Sequence, residues 1–101
     1  MKIVINTCFG GFGLSKKAIK ELAKRKNVKL TNRDSEYFLI KKTRRNDSDL
    51  VAIVEEMGDN ANTRYSDIAI IEIPDDVNWI ITQHDGMEHV AEQHRTWGVF
   101  Q

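Results

Sequence analysis

The dipeptide Asp85-Gly86 constrains this chain more than any other feature of its sequence. A two-residue type I′ turn needs positive φ at both central residues, and Asp-Gly meets that need at little steric cost. Apolar residues flank the dipeptide on both sides, so Val77–His84 reads as a strand and the residues from Met87 onward as its antiparallel partner. Folding back on this turn sets Ile81 opposite Val90 and Ile80 opposite Ala91, pairs that suit cross-strand packing. Met87, Val90, Ala91, His94 and Trp97 would also line one face of a helix. Periodicity alone leaves strand and helix both open for 87–97.

The rest of the chain is punctuated in the same way. Lys2–Asn6 alternates polar and β-branched residues and reads as a first strand. The glycine-rich stretch Thr7–Leu14 follows, and Ser15 can cap a helix whose apolar positions are Ala18, Ile19, Leu22 and Ala23. That helix should end near Lys26, with Asn27 in the left-handed closing conformation. Glu36–Lys41, rich in Tyr, Phe, Leu and Ile, has high β propensity and reads as a second strand. After the basic connector Lys41-Lys42-Thr43-Arg44-Arg45, Asp47 or Ser48 caps a second helix. Leu50, Val51, Val54 and Met57 line that helix, and Gly58 stops it. Asp67–Ile73 is a strand ended by Pro74-Asp75-Asp76, because proline cannot donate to a ladder. The expected fold is α+β: an antiparallel sheet of hairpins, centred on the last two, decorated by two short helices. A length of 101 residues fits a single domain, 1–101.

Composition narrows the class. Hydrophobic residues make up 41% and charged residues 30%, a globular balance rather than a disordered one. No apolar run reaches the roughly 20 residues a membrane helix needs, and the first residues lack a signal-peptide core. Cys8 is the only thiol, which excludes an internal disulfide and a four-cysteine zinc site. These features suggest a soluble protein of the cytoplasm with no membrane partner. Net charge is zero, but it is a divided zero. Residues 1–45 carry thirteen basic and three acidic side chains, a net of +10. Residues 46–101 carry two basic and twelve acidic ones, a net of −10. Such asymmetry points to an anionic partner, or to complementary faces within one subunit or between subunits. The acidic half argues against specific nucleic-acid binding, since it adds to the repulsion that counterion release must overcome.

Several residues could serve an anion. The loop from Cys8 to Ser15 joins a strand to a helix, where main-chain N–H groups and the helix dipole favour negative charge. Gly10, Gly11 and Gly13 would let a ligand approach the backbone, Phe9 and Phe12 could stack on a base, and Lys16 and Lys17 could meet a phosphate. The spacing matches neither the dinucleotide fingerprint nor a Walker loop. The plainer alternative is a structural turn with both phenylalanines in the core. The run Lys41-Lys42-Thr43-Arg44-Arg45 could supply point charges and, from Arg44 and Arg45, a guanidinium fork to a phosphate, or could be a solvated connector. Arg95 beside Trp97 suits a phosphate and a stacked base, or a salt bridge beside a core indole. His84, His89 and His94 are spaced by five, which places them on alternating faces of a strand and defeats convergent metal binding. Cys8 with a histidine lacks an orienting third group, so no catalytic residue and no cofactor are assigned.

Taken together, Lys2-Ile3-Val4-Ile5-Asn6, Gly10-Gly11-Phe12-Gly13-Leu14-Ser15, Ile71-Glu72-Ile73-Pro74-Asp75-Asp76, Asp85-Gly86-Met87-Glu88 and His94-Arg95-Thr96-Trp97 resemble a widespread family of small bacteriophage proteins, most without an assigned function. In size and expected architecture the chain is also similar to phage "sponge" proteins. Those counter bacterial immunity by sequestering nucleotide signals, such as the cyclic ADP-ribose variants of Thoeris and the cyclic oligonucleotides of CBASS. The resemblance implies a non-enzymatic homo-oligomer that binds a small phosphorylated or cyclic nucleotide in the host cytoplasm during infection. It carries over no ligand residue. The alternative is a phage inhibitor or accessory protein that docks on a host protein.

Overall fold

The computed structural model describes residues 1–93, so Arg95, Trp97 and His94 lie outside the described residues, as does the end of the 87–97 segment. The elements in order are β1 (Lys2–Asn6), α1 (Lys16–Arg25), α2 (Arg33–Lys42), α3 (Ser48–Met57), a 3-10 turn (Gly58–Ala61), β2 (Ile68–Glu72), β3 (Trp79–His84) and β4 (Met87–Glu92). The α+β class holds. The arrangement inside it differs from expectation in two places.

The first difference is α2. Residues 36–41 are helical rather than extended, and the described helices number three, not two. The cause lies just upstream. The Asn32 side chain accepts from the Ser35 amide while the Ser35 hydroxyl accepts from the Asn32 amide, a closed capping box. Asp34 and Glu36 occupy the first turn and Lys41 and Lys42 the last, so both ends match the helix dipole. Capping and dipole override the β propensity of Tyr37-Phe38-Leu39-Ile40. A continuous apolar run cannot all face inward on a helix, however. Only Leu39 is buried, while Tyr37 and Phe38 are 62% and 65% exposed.

The second difference is strand pairing. β2 pairs with β1, in the register Lys2↔Glu72 through Asn6↔Ile68, and among the described residues β3 pairs only with β4. Among the described residues there are thus two separate two-stranded sheets instead of one sheet centred on two hairpins. Pro74 and the two aspartates carry the chain away after β2, and β3 begins at Trp79 rather than Val77. β1 takes β2 because Ile3, Val4 and Ile5 are almost wholly buried and need an apolar partner strand.

The main core forms where β1 and β2 meet α1 and α3: Val4, Ala18, Leu22, Leu50 and Ile53 have essentially no exposed surface. Ser15 caps α1 as expected, with its hydroxyl accepting from the Ala18 amide, and Asn27 closes the end at φ 56°. Asp47 caps α3 by accepting from the amides of Asp49 and Leu50. The β3–β4 hairpin has the expected form. Asp85 and Gly86 take φ of 52° and 89°, and Ile81 faces Val90 while Ile80 faces Ala91.

The candidate site: a cleft of aromatic rings and cations

One cleft of about 470 Å³ lies where α2, the α2–α3 connector, the glycine-rich loop and the hairpin converge. Tyr37, Ile40 and Lys41 reach it from α2, and Thr43, Arg44 and Arg45 from the connector. Phe12 comes from the loop, and Trp79 and Ile81 from β3. Spacings of three, four and seven put Tyr37, Ile40, Lys41 and Arg44 along one stripe of the helix and its extension. The Lys41 ammonium lies 5.4 Å from the Tyr37 ring centre, within cation–π range.

The three cations of the cleft differ in what they are free to do. Arg45 is committed. Its Nη1 donates to Glu88 Oε1 at 2.6 Å and its Nη2 to Glu88 Oε2 at 2.8 Å, a two-pronged pair. Nη1 also reaches the Val4 carbonyl, and the guanidinium carbon sits 3.5 Å over the centre of the Phe12 ring. Glu88 is buried and uses its remaining capacity to accept from the Asn6 amide at 2.8 Å. Lys41 and Arg44 have no carboxylate partner among the described residues, and both are exposed. They are the cleft's available positive charges.

Asn6 holds the surrounding loops together. Its amide group donates to the carbonyls of Cys8 and Gly86, and its carbonyl oxygen accepts from the amides of Cys8 and Asp67. The side chain is fully buried and fully satisfied, as a polar group in that position must be. This hub carries no motif, and nothing in the sequence marks Asn6 apart from its place at a strand end.

The sequence-derived ligand residues separate into three groups. Phe12, Arg44 and Arg45 converge on the cleft. Phe9, Gly10, Gly11, Gly13, Lys16 and Lys17 do not line it. Arg95 and Trp97 fall outside the described residues. The expectation that the loop glycines admit a ligand is corrected at Gly10. A Cβ there would lie 2.0 Å from the Tyr65 carbonyl oxygen, so the space is already filled by protein backbone. Gly86 is the reciprocal case. A Cβ on it would lie 2.5 Å from the Gly11 nitrogen and the Phe9 carbonyl, so the glycine loop is shaped to receive the hairpin turn. A Cβ on Gly11 would face open space, and one on Gly13 would meet the Thr63 side chain at ordinary contact distance. Phe9 is 61% exposed rather than core. Lys16 and Lys17 start α1 as exposed side chains. Tyr37 and Ile40 escape the sequence reading because α2 reads as a strand, and Trp79 because nothing local brings β3 against α2. The Asn32-x-x-Ser35 box, taken with the Tyr37/Ile40/Lys41/Arg44 spacing, is the signal that finds most of them.

Part of the divided charge is reconciled inside one subunit, through four of the thirteen basic side chains of residues 1–45. Lys2–Glu55, Arg25–Glu56, Lys26–Asp47, Lys26–Asp49 and Arg45–Glu88 all join the basic half to the acidic half. Burial by itself would raise the Asp47 carboxyl. The Lys26 ammonium and the amides of Leu50 and Asp49 outweigh it and hold the group below the usual carboxylate range. His84 and His89 sit on the hairpin, and no group of three His, Cys, Asp or Glu side chains among the described residues could hold a metal ion. No described helix is long and apolar enough to cross a membrane. Comparison of the chain with family models, curated proteins and solved structures returns no match.

Proposed function

We propose that the protein binds a small phosphorylated or cyclic nucleotide in the cleft between α2 and the hairpin, and holds it without turning it over. The observation that carries this reading is the pairing of two uncommitted cations, Lys41 and Arg44, with two ring systems, Tyr37 and Trp79, in one cleft. A phosphate needs the first pair and a base the second. The lining supplies cations, rings, a hydroxyl and apolar walls, groups that hold an anion. Among the described residues it contributes no carboxylate or imidazole to carry a proton during hydrolysis. The resemblance to phage proteins makes the ligand a signal of bacterial immunity. The protein then acts by stoichiometric capture in the host cytoplasm, as a homo-oligomer.

A thermal-shift screen over AMP, ADP, cyclic ADP-ribose isomers and cyclic dinucleotides tests the reading. The expected result is a rise in Tm with at least one nucleotide, lost in Arg44→Glu, with the ligand recovered chemically intact on heating the complex. Recovery of an altered nucleotide would make the protein an enzyme. No shift with any nucleotide would favour docking on a host protein, a reading that the exposed Tyr37 and Phe38 on α2 also suit.

A further inference from the structure

The apolar run of α2 serves two sides of the helix, and only one of them faces the cleft. Ser35, Phe38, Leu39 and Lys42 repeat the three, four and seven spacing two positions earlier and line a second groove with Val28. An adjoining hollow shares Val28, Leu39 and Lys42 and extends to Lys26, Thr43 and Asp47. The two hollows measure about 200 and 250 Å³. The side-chain chemistry of the first stripe recurs here. Lys42 lies 5.8 Å from the centre of the Phe38 ring, as Lys41 lies over Tyr37. Phe38 and Val28 remain 65% and 42% exposed, an apolar floor with nothing over it among the described residues.

Charge identifies what fits. Lys26 is neutralised by Asp47 and Asp49, but nine other cations of the first 45 residues have no carboxylate partner among the described residues. All nine lie on α1, α2 or the segments that follow them, and Lys42 rims the groove. The chain carries the complement itself. Glu72 and Asp76 are exposed and lack an ion-pair partner among the described residues. They lie on and beside the turn Pro74-Asp75-Asp76, with the half-buried apolar residues Ile73 and Val77 adjacent. An acidic turn flanked by apolar side chains matches an apolar floor with a cationic rim.

We infer that the α1–α2 groove of one subunit receives the Ile73–Val77 turn of a second copy of this chain, in a head-to-tail contact. Val28, Phe38 and Leu39 take the apolar side chains, and Lys42 faces Asp76. The contact supplies the surface for the homo-oligomer named above and so rests on that part of the reading. Groove and turn are different surfaces, so each subunit uses both, and a head-to-tail contact of this kind closes as a ring or continues as a filament.

Light scattering after size exclusion, on the full chain in 20 mM and 500 mM NaCl, tests the proposal, with circular dichroism as the check on folding. The expected result is an assembly in low salt whose dissociation constant weakens about tenfold or more in Lys42→Glu, Asp76→Lys and Phe38→Ser. Mixing Lys42→Glu with Asp76→Lys, or combining both changes in one chain, restores it. A monomer at every concentration in low salt overturns the proposal, and so does an assembly indifferent to all three changes. Single changes that dissociate the assembly without rescue by charge reversal overturn the pairing of Lys42 with Asp76. None of these three residues lines the cleft, so ADP binding measured on the same variants separates a failure of the groove from a failure of the nucleotide reading.

Discussion

The helical body and the β3–β4 hairpin are held by opposite means. In the body, α1, α3 and β1 contribute side chains with almost no exposed surface: Leu22, Leu50, Ile53, Ile3 and Val4. In the hairpin the only buried residue of either strand is Glu88, a carboxylate. Its two oxygens meet Arg45 and the Asn6 amide, the Gly86 carbonyl accepts from the Asn6 side chain, and the Gly86 backbone nestles against Gly11 and Phe9. Non-directional burial fixes the body, and a few directional contacts fix the hairpin. Such contacts fail one at a time rather than averaging out. Because Trp79 and Ile81 are hairpin residues, the polar latch at Glu88 also sets the width of the cleft.

Truncating the body should cost most. Leu22→Ala is expected to remove about 4 kcal/mol and lower the stability of the whole molecule in a cooperative chemical denaturation. Glu88→Ala leaves the Arg45 guanidinium and the Asn6 amide without their acceptor, at a cost of about 3 kcal/mol. Its signature differs from that of Leu22→Ala. Hydrogen exchange should lose protection in β3 and β4 while α1 and α3 keep theirs. Uniform loss across both regions would erase the distinction between them. Gly86→Ala comes next, at about 2 kcal/mol, because φ of 89° and the close approach of Gly11 both oppose a side chain. It too should act on the hairpin alone. Asp47→Ala removes the α3 cap for about 1 kcal/mol, read as a shift in the denaturation midpoint.

The pH dependence of that cap follows from its depressed pKa. A carboxyl held below its unfolded value of about 3.9 stabilises the fold above that value, and the contribution is lost as pH falls through the lowered one. The amides at the start of α3 should therefore stay protected from neutral pH to about pH 4 and lose protection below it, a loss that Asp47→Asn should abolish.

The body was legible in the sequence and the latch was not. Ser15, Asn27, Asp47 and Gly58 announce helix ends because capping is local chemistry written within three or four residues. Asp85-Gly86 fixed the hairpin register for the same reason. The α2 segment misleads because Tyr37-Phe38-Leu39-Ile40 is apolar without helical period. It is exposed on two sides and shaped by two grooves rather than by one core. β2 joins β1 across more than sixty residues of chain, a choice no local signal encodes. Asn6, Arg45 and Glu88 are likewise separated by about forty residues at each step and meet only in three dimensions. Of the residues the sequence marks, Phe12, Arg44 and Arg45 line the cleft. The sequence assigns Gly10 to a ligand, where it in fact accommodates Tyr65.

The claim that α2 and the hairpin form an anion-binding cleft is tested most directly by amide and indole NMR of the protein titrated with ADP. Saturable shifts should gather at Phe12, Tyr37, Lys41, Arg44 and Trp79, and Arg44→Glu should remove them while the hairpin keeps its native spectrum. Shifts confined to the Lys16–Lys17 end of α1, or none at all at millimolar ADP, would contradict it.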